Sequence, residues 1–360
     1  MSGLRKALTA AGGLAILVAG CTAAAHLRAL QPPAVPRSPL LRVPSSSPAR
    51  AVGRPVMQRG IDIDLYTYRG QDAAAAARAD VAYIKSLHAN AVSVSFPFFM
   101  HGPRSRGVYA SPATPSPAQL AVVAAVAERA GLYVSIRPLL DETNLGRSRV
   151  VWRPRDMGAW FASYRRFLLP YAAMAQREHI PEIFIGAEFS QFGSSPRWNT
   201  LDRAVRRVFH GTLAYADNGI RIIRAHVGGA GALVTVDAYP RMPWIPPTAT
   251  AAHLARPWGI YDRLLPPGTV LTEVGIDAVA GAYGTPYKHH WPGARIDPVI
   301  QARWFTAACR AAIASKLGGI YFWPLEFGHL GGPTVTYQGA WAHSAGARAI
   351  SACFAKAAQS

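Results

Sequence analysis

Pro181-Glu182-Ile183-Phe184-Ile185-Gly186-Ala187-Glu188-Phe189-Ser190 is an apolar run too short for a helix that ends abruptly in a carboxylate. That is the pattern of a buried strand presenting Glu188 at its C-terminal end. The device recurs further along the chain, where Gly268-Thr269-Val270-Leu271-Thr272-Glu273-Val274-Gly275 delivers Glu273 from a second short apolar strand. One such carboxylate, taken alone, is equally well a cap for the helix that follows. Two of them in a chain of repeating strand–helix units form a candidate acid/base pair.

Working outward from these strands, the same alternation fills the rest of the chain. Residues 59–65 read as strand one, 72–87 as an Ala-rich helix, 91–96 as strand two, 117–130 as a helix and 133–138 as strand three. A loop over 139–155 precedes a long helix over 156–179 whose apolar residues Trp160, Tyr164, Phe167, Leu168 and Tyr171 fall at helical spacing. After strand four, 198–217 reads as a helix, and 220–226 and 232–239 as strands five and six with a short connection. A helix over 248–265, strand seven ending at Glu273, a helix over 298–316, strand eight over 319–323 and a last helix over 342–356 complete the series. Eight such units predict an α/β fold, a single TIM (β/α)8 barrel. A doubly wound sheet would want fewer strands and a glycine-rich phosphate turn. Gly228-Gly229-Ala230-Gly231 lacks that turn's spacing and its helix, and the sequence holds no P-loop, zincin His-Glu pair or nucleophile elbow.

With 360 residues and 50% hydrophobic content, the chain can bury a large core. Its formal charge of +19 comes from 38 Lys and Arg against 19 acids. The arginines are scattered through the helices, whereas a nucleic-acid stripe clusters its charge, so no nucleic-acid partner is expected. At the N-terminus, Arg5 and Lys6 precede an apolar run over 7–19, too short to span a bilayer. It ends in Val18-Ala19-Gly20-Cys21, which resembles a bacterial lipobox. The expected organisation is a lipoprotein signal over 1–21 with Cys21 as the lipidated residue, a Pro/Ser/Arg-rich tether over 22–56, and a catalytic domain over 57–360. The mature protein would be an extracytoplasmic monomer, lipid-anchored to a bacterial membrane. Of the three cysteines, Cys309 and Cys353 remain. In an exported chain, on the last two helices, they are expected to form a disulfide. Adjacent His289 and His290 sit on a loop without a nearby acidic cluster and read as surface or substrate-contacting groups. No metal and no cofactor are expected.

A resemblance enters with the ordered set of segments. Trp160-Phe161-Ala162-Ser163-Tyr164, Tyr171-Ala172, Ala175 and Ile185-Gly186-Ala187-Glu188 resemble glycoside hydrolase family 113, the clan A endo-β-mannanases. Further on, Asp237-Ala238-Tyr239, Leu271-Thr272-Glu273-Val274-Gly275, Gln301 and Gly319-Ile320-Tyr321-Phe322-Trp323 agree. The resemblance covers roughly residues 60–323 and implies a TIM barrel that hydrolyses β-mannosidic linkages in a polysaccharide or oligosaccharide substrate. It implies Glu188 as general acid/base, Glu273 as nucleophile, Tyr239 as a hydrogen-bond donor to the nucleophile and Trp323 as the floor of the reacting sugar's subsite. Ala187 stands where many clan A enzymes carry Asn before the acid/base.

The implied chemistry suits these residue types. In a retaining hydrolase one carboxylate attacks the anomeric carbon while the other, protonated, serves the departing oxygen. At about 5 Å and an effective dielectric of about 20, two charges repel by about 3 kcal/mol, enough to keep one carboxyl protonated near neutral pH. Trp152, Tyr239, Trp291 and Trp323 are candidates to stack on sugar faces, and Arg137 and Asp141 are candidate polar contacts beside them.

Overall fold

Eight parallel strands pair in chain order and the last returns to the first, closing a barrel. The structure, a computed structural model, describes residues 52–218, 231–289 and 291–359. Its strands are β1 (Gln58–Asp64), β2 (Ala91–Phe98), β3 (Tyr133–Leu140), β4 (Glu182–Ala187), β5 (Thr212–Asp217), β6 (Leu233–Asp237), β7 (Val270–Val274) and β8 (Gly319–Glu326). Around them lie α1 (Ala73–Ser86), α2 (Pro117–Arg129), α3 (Met157–Arg177), α4 (Arg197–Arg206), α5 (Ala251–Arg263), α6 (Pro298–Ala314) and α7 (Ala345–Ala357).

The strands read as continuous apolar runs because a parallel strand under helices has no wet face. Every residue of β2, β3 and β4 is buried. Helices start where side chains can take the orphan N–H groups of the first turn. Asp72 accepts from Ala74 and Ala75, Ser116 forms a capping box with Gln119 ahead of Pro117, and Asp156 accepts from Ala159. Trp160, Tyr164 and Leu168 form the buried stripe of α3, and Trp160 packs against Phe189, Phe192 and Trp198. At the opposite, N-terminal end of the strands the barrel is plugged by polar aromatic pairs. The Tyr321 hydroxyl donates to Gln58 at 2.7 Å and the Tyr133 hydroxyl to Glu182 at 3.1 Å. Polarity there serves closure, since the chemistry of this architecture belongs to the other end.

One stretch departs from the sequence expectation. The helix expected over 198–217 stops at Arg206, and Thr212–Asp217 is β5. Gly211 explains the break: a Cβ there would lie 2.6 Å from the Pro181 carbonyl oxygen. The chain at this point runs tightly against the start of β4, where the Thr212 amide donates to that same carbonyl. Leu213, Ala214, Tyr215 and Ala216 are good helix formers on composition, but all are buried between β4 and β6, and tertiary pairing overrides propensity. The strand expected over 220–226 lies outside the described residues, as do the signal expected over 1–21 and residues 22–51 of the tether expected over 22–56. Cys309 on α6 and Cys353 on α7 are joined by a disulfide with a Cα–Cα distance of 6.4 Å.

Candidate active site

A cleft of about 790 Å³ opens at the C-terminal ends of the strands. Its walls come from the ends of every strand but β2: Asp64 at the end of β1, Asp141 after β3, Glu188 after β4, Asn218 after β5, Tyr239 after β6, and Glu273 and Trp323 on β7 and β8. Loop residues complete it, among them Tyr66, Arg149, Asp277, His289 and Tyr337.

Glu188 follows the last residue of β4 with φ at 59°, a left-handed conformation rare for a residue with a side chain. Its amide donates to the Ala216 carbonyl at 2.9 Å, which anchors the turn to β5. The turn lifts the carboxyl off the strand and into the cleft, and such strain, about 1–3 kcal/mol, persists only where the surroundings enforce it. Glu273 sits within β7 and is 2% exposed. The Tyr239 hydroxyl donates to its Oε2 at 2.8 Å, and Arg137 Nη2 pairs with its Oε1 at 2.7 Å. Carboxylate oxygens of Glu188, Asp237 and Glu273 all lie within 4.8 Å of one another. Gly275 lets this cluster assemble, because a Cβ there would meet the Tyr239 hydroxyl at 3.1 Å and the Trp323 ring at 3.2 Å.

Two arginines match this negative charge. Arg137, wholly buried, bridges Asp62 at 3.3 Å, Asp237 at 2.6 Å and Glu273 at 2.7 Å. Arg149, from the loop after β3, places Nη2 at 2.6 Å from Glu188 Oε2 and Nη1 at 3.4 Å from Glu142. Both guanidinium groups offset the negative charge that Glu188, Asp237 and Glu273 bring together. Burial raises Glu273 above the ordinary carboxylate range, Arg137 opposes that, and the nearby Glu188 adds to it. Asp64 is pushed up to about 7 by burial and by the charges of Glu273 and Glu326. His289 is raised by the Asp277 carboxylate, which outweighs the desolvation pulling it down.

Of the residues expected to contact substrate, Tyr239, Trp323 and Asp141 line the cleft. Asp141 is held there by the Tyr66 hydroxyl, which donates to it at 2.7 Å. Three others do not. Arg137 has no exposed surface and cannot touch a ligand; it braces Glu273 from behind. Trp152 is 2% exposed because its ring packs on Trp160 and Phe192 while its Nε1 donates to the Pro103 carbonyl. Trp291 lies beside a neighbouring cavity with Trp244, its ring facing the Lys288 ammonium at 4.0 Å and its amide donating to Gln338. His289 reaches the cleft, and His290 lies outside the described residues.

The sequence reading also passed over Asp62, Asp64, Arg149 and Asp277. Asp62-Ile63-Asp64 carried a signal, because carboxylates alternating with apolar residues in a parallel strand point into the barrel. Arg149 carried none, since only the folded loop brings it to Glu188.

The model of glycoside hydrolase family 113 matches residues 64–327. None of the curated proteins matches the chain. Among solved structures, a glycoside hydrolase family 113 β-mannanase from Alicyclobacillus acidocaldarius superposes with a TM-score of 0.68 at 19% identity, covering 83% of this chain and 97% of that one. A family 113 β-1,4-mannanase gives 0.67 at 17% identity, covering 83% and 99%. A glycoside hydrolase family 5 mannosidase from Rhizomucor miehei gives 0.54 at 11% identity, covering 85% and 94%. At these identities the likeness to the solved structures is one of fold.

Proposed function

Because the chain belongs to glycoside hydrolase family 113, we propose that it cleaves β-mannosidic linkages in mannan-type polysaccharide by double displacement. The observation that carries this reading is the approach of Glu188 and Glu273 carboxylate oxygens to within 4.8 Å across the mouth of the barrel. That spacing suits the retaining separation of about 5–5.5 Å between carboxyl groups, rather than the wider gap that admits a water. The β-mannanases among its structural neighbours support the choice of sugar.

In this reading Glu273 attacks the anomeric carbon. Arg137 and the Tyr239 hydroxyl hold its carboxylate in place from two sides and stabilise the charged form that attack requires. Arg149 engages Oε2 of Glu188, so Oε1 faces the glycosidic oxygen and delivers the proton. The carboxylate left on Glu188 is then paired with the guanidinium, ready to draw a proton from the water that releases the sugar. Trp323 lines the cleft, where apolar C–H faces of a pyranose can be buried against its ring.

A reducing-sugar screen over mannan, glucomannan, xylan, chitosan and cellulose tests the substrate, and NMR of the first-formed product tests the mechanism. The expected product keeps the anomeric configuration of the bond cleaved, and an inverted product would refute the double displacement. Azide separates the two glutamates. Glu188→Ala should yield a β-glycosyl azide from a substrate with an activated leaving group, and Glu273→Ala the α-product, because azide replaces a different partner in each. The same proposal places the enzyme outside the cytoplasm, anchored through a lipidated Cys21, on the strength of Val18-Ala19-Gly20-Cys21 and the proline-rich segment after it. Mass spectrometry of the native N-terminus checks this, with an unmodified N-terminus downstream of Cys21 the contrary result.

A further inference from the structure

Asp277 lies four residues past Glu273, on the loop that leaves β7, and it lines the same cleft. Its side chain is 1% exposed, yet among the described residues Oδ2 has no hydrogen-bond partner. Its basic neighbour among the described residues is His289, whose Nδ1 stands 3.8 Å from Oδ1, beyond hydrogen-bond reach. A buried carboxylate oxygen without a donor is costly, and its presence in a cleft wall calls for an explanation.

Loose local structure does not account for it, because the surrounding backbone is tied on both sides. The Ala278 amide donates to the Gln338 carbonyl at 2.9 Å and the Asp297 amide to the Ala278 carbonyl at 2.7 Å. Gln301, buried on α6, sets Nε2 at 3.0 Å from the Ile276 carbonyl and 3.0 Å from that of Gly339. The loops after β7 and β8 are thus joined beneath Asp277, and its carboxylate is held rigidly at the cleft wall. Rigid presentation of an unsatisfied acceptor in a cleft is what a ligand donor requires.

We propose that Asp277 is a specificity-determining residue of this site, accepting a hydrogen bond from a hydroxyl of the sugar ring bound beside Glu273. The inference rests on the glycosidase reading of the cleft and adds a sugar contact on the nucleophile's side. It explains why a carboxylate, and not an apolar residue, stands at a position that the fold itself does not need charged. Removing it should therefore cost binding and turnover without costing stability.

The test compares Asp277→Ala and Asp277→Asn with the wild-type enzyme on the five-glycan panel, reading kcat/KM on whichever glycan the wild type cleaves. A failure of mannan as substrate is thereby kept apart from a failure of Asp277. Disaccharide titrations by NMR, using mannobiose, cellobiose, xylobiose and chitobiose, read binding independently of turnover. The expected result is a fall in kcat/KM of about 10- to 100-fold for Asp277→Ala, as for loss of a hydrogen bond to a charged group. Asp277→Asn, which keeps an acceptor oxygen, should fall less. Both variants should melt at or above the wild-type temperature, and the disaccharide bound by the wild type should bind more weakly to Asp277→Ala. Unchanged kcat/KM and unchanged disaccharide affinity in Asp277→Ala would overturn the proposal. So would a lowered melting temperature in both variants with full activity per folded molecule, which would make the residue structural.

Discussion

Arg137 is the residue on which the buried charge of the barrel turns, since it pairs with Asp62, Asp237 and Glu273 together. Burial raises Asp62 and Asp237 well above the ordinary carboxylate range even with the guanidinium present, which pulls each of them back. Arg137→Met keeps much of the volume and removes the cation, and it should cost about 3–5 kcal/mol at pH 7, the usual effect of stripping one partner from a buried ion pair. The pH dependence has a definite sign. Carboxyls left without their cation titrate higher in the folded state than in the unfolded chain, so the folded state binds more protons and stability returns as the pH falls. Urea denaturation of Arg137→Met at pH 7 and pH 5 should show a smaller deficit at pH 5. An equal deficit at both would assign the loss to packing of the aliphatic stem.

At the scale of one element, α5 shows what a helix pays for carrying a charge on its core face. Leu254, Trp258 and Asp262 form its buried side, and among the described residues neither carboxylate oxygen of Asp262 has a hydrogen-bond partner. Desolvation pushes this carboxyl up to about 7, only partly opposed by Arg263. A folded-state value raised above the unfolded one means that the stability is present at low pH and is lost as pH rises towards and through about 7. Asp262→Asn should therefore match the wild type near pH 4 and exceed it by about 1–3 kcal/mol at pH 8, the range expected for relieving an unpaired buried polar group. Urea melts across pH 4–8 would show the gap opening, and a constant difference would mean that charge is not the cause. Asp262 does not line the cleft, so activity should be unaffected.

Across the whole molecule, the Cys309–Cys353 link ties α6 to α7, the helices flanking the seam where β8 returns to β1. It encloses a loop of sequence separation 44, for which the chain-entropy account gives about 3–4 kcal/mol. A Cys309→Ala, Cys353→Ala double variant should lose about that much in urea, and the wild type should lose a similar amount on reduction. Turnover at 25 °C should be unchanged in the variant, because neither cysteine lines the cleft. A loss of activity without a loss of stability would show instead that the link shapes the loops of the site.

The repeat of strand and helix, the two strand-end glutamates, Tyr239 and Trp323 were all legible in the amino-acid order. Each depends on a local pattern, an apolar run of strand length closed by a polar residue, and that pattern survives in one dimension. The boundary at β5 was not legible, because Leu213-Ala214-Tyr215-Ala216 suits either element and only the tight approach of Gly211 to Pro181 selects the strand. Nor could the sequence separate Arg137 from Arg149, or Trp152 from Trp323. Which of two identical side chains faces a cleft is settled by barrel closure, which buries Arg137 among three carboxylates and Trp152 among aromatic rings while leaving Arg149 and Trp323 on the wall. The residue types and their spacing therefore determined the architecture and the two strand-end glutamates, whereas tertiary packing decided which charges meet, since Coulomb energy and desolvation depend on distances that sequence separation does not encode.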